Sequence, residues 1–137
     1  MSLILYTTIG VSDLQRSAVF YDAIFATLGY ARSPESSADF IAWGPGYEGG
    51  AGFWICKPYD GQPPSPGNGT MIALRGRSEA QVQAFYQAAL GHGGTDDGAP
   101  GTRPAYEPSF FVAYVRDPDG NKLACVFHKH KPKGAAS

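Results

Sequence analysis

The chain has 137 residues, 43% of them hydrophobic and 17% charged. That corresponds to one domain or two very small modules, with enough apolar material for a core and a composition outside the disordered class. Eleven basic against twelve acidic side chains leave a net charge of -1, which excludes the basic footprint of a nucleic-acid binder or a membrane-surface protein. No apolar run approaches the ~18 residues of a transmembrane helix. The opening MSLILYTTIG lacks the basic region of a signal peptide. Two cysteines, Cys56 and Cys125, are too few for a disulfide framework. The expectation is a cytoplasmic protein with free thiols.

In chain order, residues 3–11 (LILYTTIGV) read as a strand of apolar and β-branched residues. Ser12 and Gln15 form a capping-box pattern. Leu14, Val19, Phe20, Ile24 and Leu28 then give a helical stripe that Gly29 stops. Strands are expected at 39–44 and 51–57, and a Pro/Gly-rich linker at 58–69. Thr70–Leu74 reads as a strand, Ser78/Gln81 as a second capping box, and Val82, Phe85, Ala89 and Leu90 as a second stripe. A polar loop over 95–109, a strand over 110–115, a DPDGN turn at 117–121, a strand over 122–127 and a frayed tail from 129 complete the chain.

The second half repeats the first. FYDA at 20–23 answers FYQA at 85–88, an offset of 65; FIAW at 40–43 answers FVAY at 111–114, an offset of 71; Ser12/Gln15 answers Ser78/Gln81, an offset of 66. Three matches in the same order imply a tandem duplication. One helix covers one sheet face only, so two modules would pair around a shared cleft, and such clefts suit ligands.

The stretches GVSDLQRSAVFYDAIFATLGY and GTMIALRGRSEAQVQAFYQAALGHGG, with DPDGNKL downstream, resemble the vicinal oxygen chelate superfamily. That superfamily comprises glyoxalases, bleomycin-resistance proteins and extradiol dioxygenases. The resemblance implies an α+β fold of tandem βαβββ modules forming an incomplete eight-stranded barrel around a central cleft, with the helices outside. It implies one glyoxalase/bleomycin-resistance-like domain over 1–137: a first module at 1–57, a linker at 58–69, a second module at 70–128 and a tail at 129–137. A homodimer is also expected.

Enzymes of the family hold a divalent metal with His, Glu or Gln from the first and last strand of each module. Carried over position by position, those places fall on Tyr6 (five residues before Val11), Trp54, Met71 (after Gly69-Thr70) and Ala124 (after DPDGN-Lys122-Leu123). None is an ordinary ligand for a hard or borderline cation, so no metal and no cofactor are expected. Strand parity puts Ile4, Tyr6, Thr8, Trp54, Cys56, Met71, Ala73, Ala124 and Val126 on the cleft side, and Phe53, Ile55, Leu123, Cys125 and Phe127 beneath the helices.

Beside the cleft, Arg103 offers a fork for a carboxylate or phosphate, Tyr106 a ring for stacking and Glu107 a carboxylate for acid–base work. The plain reading of each is a surface or packing role. His92 is expected to serve the end of the second helix, and DPDGN to be a structural turn. No catalytic residue is assigned. The expected function is metal-independent binding of an apolar or aromatic small molecule. The alternative is a lyase, isomerase or dioxygenase with an atypical site.

Overall fold

The structure is a computed structural model that describes residues 2–49, 52–103, 105 and 108–131. Strand β1 (Tyr6–Gly10) leads into helix α1 (Leu14–Thr27), strand β2 (Phe40–Trp43), the single turn α2 (Gly46–Gly49) and strand β3 (Gly52–Cys56). After the linker come β4 (Ile72–Arg75), helix α3 (Glu79–Gly91), β5 (Thr95–Gly101), β6 (Phe110–Arg116) and β7 (Lys122–His128). The first half forms a sheet in the order β1-β3-β2 and the second a sheet in the order β4-β7-β6-β5. Both are mixed: β1 runs parallel to β3, and β4 parallel to β7. The fold is α+β with open sheets that do not close into a barrel. Among the described residues seven strands form, and Arg32 makes an isolated antiparallel bridge with Trp43.

One contiguous core holds the molecule together. It takes Ile9, Ile41, Phe53 and Ile55 from the first sheet, Phe111, Ala113, Val115, Leu123 and Cys125 from the second, and the inner stripes of α1 and α3. The two helices also pack on each other. On α1 the buried residues are Leu14, Ser17, Ala18, Phe20, Tyr21, Ile24 and Phe25. Val19, expected in the stripe, is exposed because the 3.6-residue period turns it away from Leu14, Tyr21 and Phe25. Leu90 likewise sits at the edge of the α3 stripe and is exposed. Phe25 stacks on Trp43 with ring centroids 5.5 Å apart, and the Trp43 indole N–H donates to Asp22 at 2.9 Å.

The two capping boxes fare differently. Ser78 caps α3, its hydroxyl accepting from the Gln81 N–H at 3.1 Å. On α1 the cap is Asp13, which accepts from the Arg16 N–H at 3.0 Å, in place of the expected Ser12. Ser12 is taken by the DPDGN turn: its N–H and hydroxyl both donate to the Asp119 carboxylate, at 3.2 and 2.5 Å. Asp119 thus brings a negative charge to the N-terminal end of α1, where the helix dipole favours it.

Asp117 in the same turn is 3% exposed. It accepts from the Tyr21 hydroxyl at 2.6 Å, from the Asn121 side chain at 2.9 Å and from the backbone N–H of Asp119 and of Asn121, each at 2.9 Å. The Asn121 amide also donates to Gly10 O at the end of β1. The turn is structural, as expected, and it joins the two halves.

Two further expectations are corrected. Residues 95–109 are not all loop: Thr95–Gly101 forms β5, antiparallel to β6, with register shifts around Gly98. Its polar sequence hides it, because an edge strand with bulges needs no apolar face. The tail is not frayed throughout: the His130 N–H donates to Ser109 O at 2.7 Å, and its ring packs on Phe111. Residues 132–137 lie outside the described residues. His92 is the C-cap of α3, with Nδ1 2.8 Å from Ala88 O.

Burial, and after it the Asp117 carboxylate beside it, raises the Tyr21 hydroxyl well above its usual pKa. Unfolded tyrosine ionises near pH ~10, and the folded protein holds this one neutral past that point. The folded pKa is raised, so its stabilising contribution is complete below that pH and is lost as pH rises further. Tyr21→Phe should lower unfolding stability by about 1.5–3 kcal/mol, the range for a hydrogen bond to a charged group. It should also flatten the alkaline loss of stability, as urea unfolding at neutral pH and above pH ~10 would show.

Candidate functional site

The helices cover one face of each sheet; on the other face Tyr6 and Met71 are exposed, Trp54 is half-buried, and Ala42, Val112 and Ala124 are buried. In the first sheet the register sets Tyr6 opposite Gly52 and Thr8 opposite Trp54. Tyr6 is 52% exposed and Trp54 half-buried, and their rings meet edge to face with centroids 6.5 Å apart. Tyr47, on the α2 turn, approaches Tyr6 from the other side at 6.4 Å, also edge-on. Gly52 is the backbone opening that admits the indole: a Cβ there would meet Trp54 Nε1 at 3.2 Å and Tyr6 Cβ at 3.6 Å. Cys56 closes β3 and is buried.

In the second sheet Ala124 lies between Ala73 of β4 and Tyr114 of β6. Met71, two residues before Ala73, is exposed just ahead of β4. Tyr114 is the centre of a charged cluster that sequence reasoning missed. The Arg103 guanidinium lies 5.5 Å and the Lys122 ammonium 5.0 Å from its ring centroid. Arg103 also donates to Ala99 O at 2.6 Å and Thr102 O at 3.2 Å, and Asp97 pairs with both Arg116 and Lys122. The signal was the period-2 alternation of β6, which puts Tyr114 and Arg116 on the face of Val112. Tyr106 and Glu107 lie outside the described residues.

The structure therefore brings Tyr6 to Trp54, and Arg103 to the neighbourhood of Ala124. No ring contact, hydrogen bond or ion pair among the described residues joins the first group to the second. Five cavities on the surface are lined by other residues than Tyr6, Trp54, Met71 and Ala124.

The donor set at these four positions is a phenol, an indole, a thioether and a methyl group. It contains no imidazole and no carboxylate, so it does not fit a divalent metal of the usual kind. Among the described residues no group of three or more His, Cys, Asp or Glu side chains could hold a metal ion. No described helix is long and apolar enough to cross a membrane.

Both cysteines are free. Burial pushes the Cys125 thiol up to about 12 and raises that of Cys56. A raised pKa lowers the thiolate fraction on which nucleophilicity depends. Ellman's reagent near neutral pH should therefore label both slowly, Cys56 before the fully buried Cys125. Rapid labelling of Cys56 in the folded protein would contradict this environment.

Residues 3–125 match the family model of the glyoxalase/bleomycin resistance protein/dioxygenase superfamily. The chain belongs to that superfamily. Among solved structures, it is similar to a glyoxalase/bleomycin resistance protein from Albidiferax ferrireducens T118, with 33% identity, a TM-score of 0.79, and coverage of 95% of this chain and 99% of that one. A glyoxalase-related enzyme from Fulvimarina pelagi shares the fold at 23% identity and a TM-score of 0.72, over 96% and 92% of the two chains. A lactoylglutathione lyase from Agrobacterium tumefaciens shares it at 16% identity and a TM-score of 0.59, over 90% and 92%. No curated protein matches the chain significantly.

Proposed function

We propose that this protein binds an apolar or aromatic small molecule, without a metal, on the sheet faces away from the helices, at Tyr6, Trp54 and Met71 and over the buried Ala124. One observation carries the reading: the positions at which the superfamily's enzymes place metal ligands hold a ring pair and two apolar side chains. Tyr6 and Trp54 meet edge to face, which leaves ring surface free to receive a flat ligand. Cys56 borders this surface as a small apolar group. Arg103 and Lys122 beside Tyr114 favour a ligand with a negative charge.

The open faces also argue for a second copy. Ile4, Leu5, Tyr6, Tyr47 and Met71 are all exposed, and exposed apolar groups of this kind mark surfaces that meet a partner or ligand. In the proposed homodimer a second chain covers part of this surface and closes the cleft that one chain leaves open. Two related modules, 1–57 and 70–128, supply the two walls, and the protein works in the cytoplasm.

Removing apolar surface from water stabilises a complex by roughly 25 cal/mol per Å². A flat aromatic ligand can therefore reach micromolar affinity without a metal despite the entropy lost on association. The expected result of titrating aromatic acids and quinones is a saturable change in Trp54 fluorescence. Trp43 lies in the core, hydrogen-bonded to Asp22, and any change that persists in the Trp54→Phe variant is assigned to it and subtracted. Trp54→Ala should weaken binding by about 1–3 kcal/mol with the fold intact. A panel without a single binder would overturn the reading. Elemental analysis of the purified protein should find no stoichiometric zinc, nickel, iron or manganese, and one tight divalent ion per chain would overturn metal independence. Sedimentation velocity should give a dimer.

A further inference from the structure

A second cavity lies on the opposite side of the first sheet from Trp54, between the C-terminal end of α1 and the edge strand β4. Its volume is about 490 Å³, within the range of small-molecule sites. Phe25, Leu28 and Phe53, all buried, and the half-buried Leu74 give it apolar walls. Arg75 and Arg77 line it as well, and no acidic side chain does among the described residues.

The two arginines differ from the rest. Arg16, Arg32 and Arg116 each pair with an aspartate, and Arg103 is held by two backbone carbonyls. Among the described arginines only Arg75 and Arg77 have guanidinium groups with no hydrogen bond or ion pair; Arg77 bonds Gln81 through its backbone alone. Their placement is nonetheless fixed. Gly76 between them is buried and donates its N–H to Val126 O at 2.8 Å. A Cβ on it would meet Val82 Cγ2 at 3.0 Å and Cys125 Sγ at 3.1 Å. The chain is thus pinned at Gly76, and the residues on either side of it, Arg75 and Arg77, both line the cavity. An apolar cavity next to two unneutralised guanidiniums on an anchored segment is complementary to a molecule with a hydrophobic body and an anionic head.

We propose that this cavity binds an amphipathic organic carboxylate, its ring or short chain against Phe25, Leu28 and Phe53 and its carboxylate on Arg75 and Arg77. Phe53, a wall of this cavity, and Trp54 are adjacent on β3 and point to opposite faces, so the two sites differ at the first sheet; on β4 both Leu74 and its neighbours Ala73 and Arg75 line the cavity.

The two tryptophans let the sites be read apart. Trp43 stacks on Phe25, a wall of this cavity, with the rings 5.5 Å apart and 5° from parallel. In the Trp54→Phe variant Trp43 is the only tryptophan left. Titrating that variant with 4-phenylbutyrate should give a saturable change in Trp43 emission. The neutral 4-phenylbutanol should bind about tenfold more weakly. Adding Arg75→Gln and Arg77→Gln, both exposed positions, should bring phenylbutyrate down to the alcohol's affinity without changing the thermal melting curve. In amide NMR of the unsubstituted protein the perturbed residues should be Leu28, Phe53 and Leu74. No saturable change at millimolar phenylbutyrate would overturn the proposal. So would equal affinity for acid and alcohol, an affinity unaltered by the double arginine substitution, or perturbations centred on Thr8 and Ala124. None of these failures bears on the open-face site, whose reporter is absent from the fluorescence experiment.

Discussion

The buried carboxylate of Asp117 is the constraint on which the rest of the structure depends. A charge taken out of water is costly unless every lone pair finds a donor. Asp117 has four: the Tyr21 hydroxyl, the Asn121 amide and two backbone N–H groups of its own turn. Tyr21 belongs to α1 of the first half, and Asn121 reaches back to Gly10 at the end of β1. Satisfying one charge therefore fixes the second half's turn against the first half's helix and strand. Asp119, two residues on, extends the same junction to Ser12, Arg16 and Ser17.

That docking decides which surfaces remain for function. With α1 against α3 and both helices over one face of the sheets, a single core uses Phe53, Ile55, Leu123 and Cys125. Alternation along the strands then sends Tyr6, Trp54 and Ala124 to the uncovered side. The same packing leaves a hollow beyond the end of α1, where the helix stops at Leu28 and β4 has no neighbour on its outer edge. The two surfaces proposed for ligands, one aromatic and one with apolar walls and an arginine pair, are thus consequences of one packing choice.

The strands keep the frame of the fold apart from the residues proposed to meet a ligand. The frame rests on the core side of each strand and on the DPDGN turn. The positions implied for metal ligands lie on the other side of the same strands, where Tyr6 and Met71 are exposed, Trp54 is half-buried and Ala124 is buried. A phenol, an indole, a thioether and a methyl group can therefore stand there without disturbing the strands that carry them.

The sequence by itself determined whatever depends on local periodicity. The two helices, the core parity of Phe53, Ile55, Leu123 and Cys125, the Ser78 cap and the DPDGN turn all follow from spacings of two to four residues. The aromatic character of the Tyr6–Trp54 surface was legible for the same reason. Other features were settled only by tertiary structure, because each depends on a partner far along the chain. Ser12 reads as a helix cap until Asp119, 107 residues away, takes its hydroxyl. The strand Thr95–Gly101 has no apolar alternation and exists because β6 supplies its hydrogen bonds. Tyr114 becomes the centre of a cationic cluster only when Arg103 and Lys122 arrive from either side. Arg75 and Arg77 look in the sequence like any other surface arginines. Their lack of partners emerges only once the fold has given each aspartate near an arginine to a different one. Periodicity is written into neighbouring residues, whereas pairing is decided by which distant groups the packed core brings within reach.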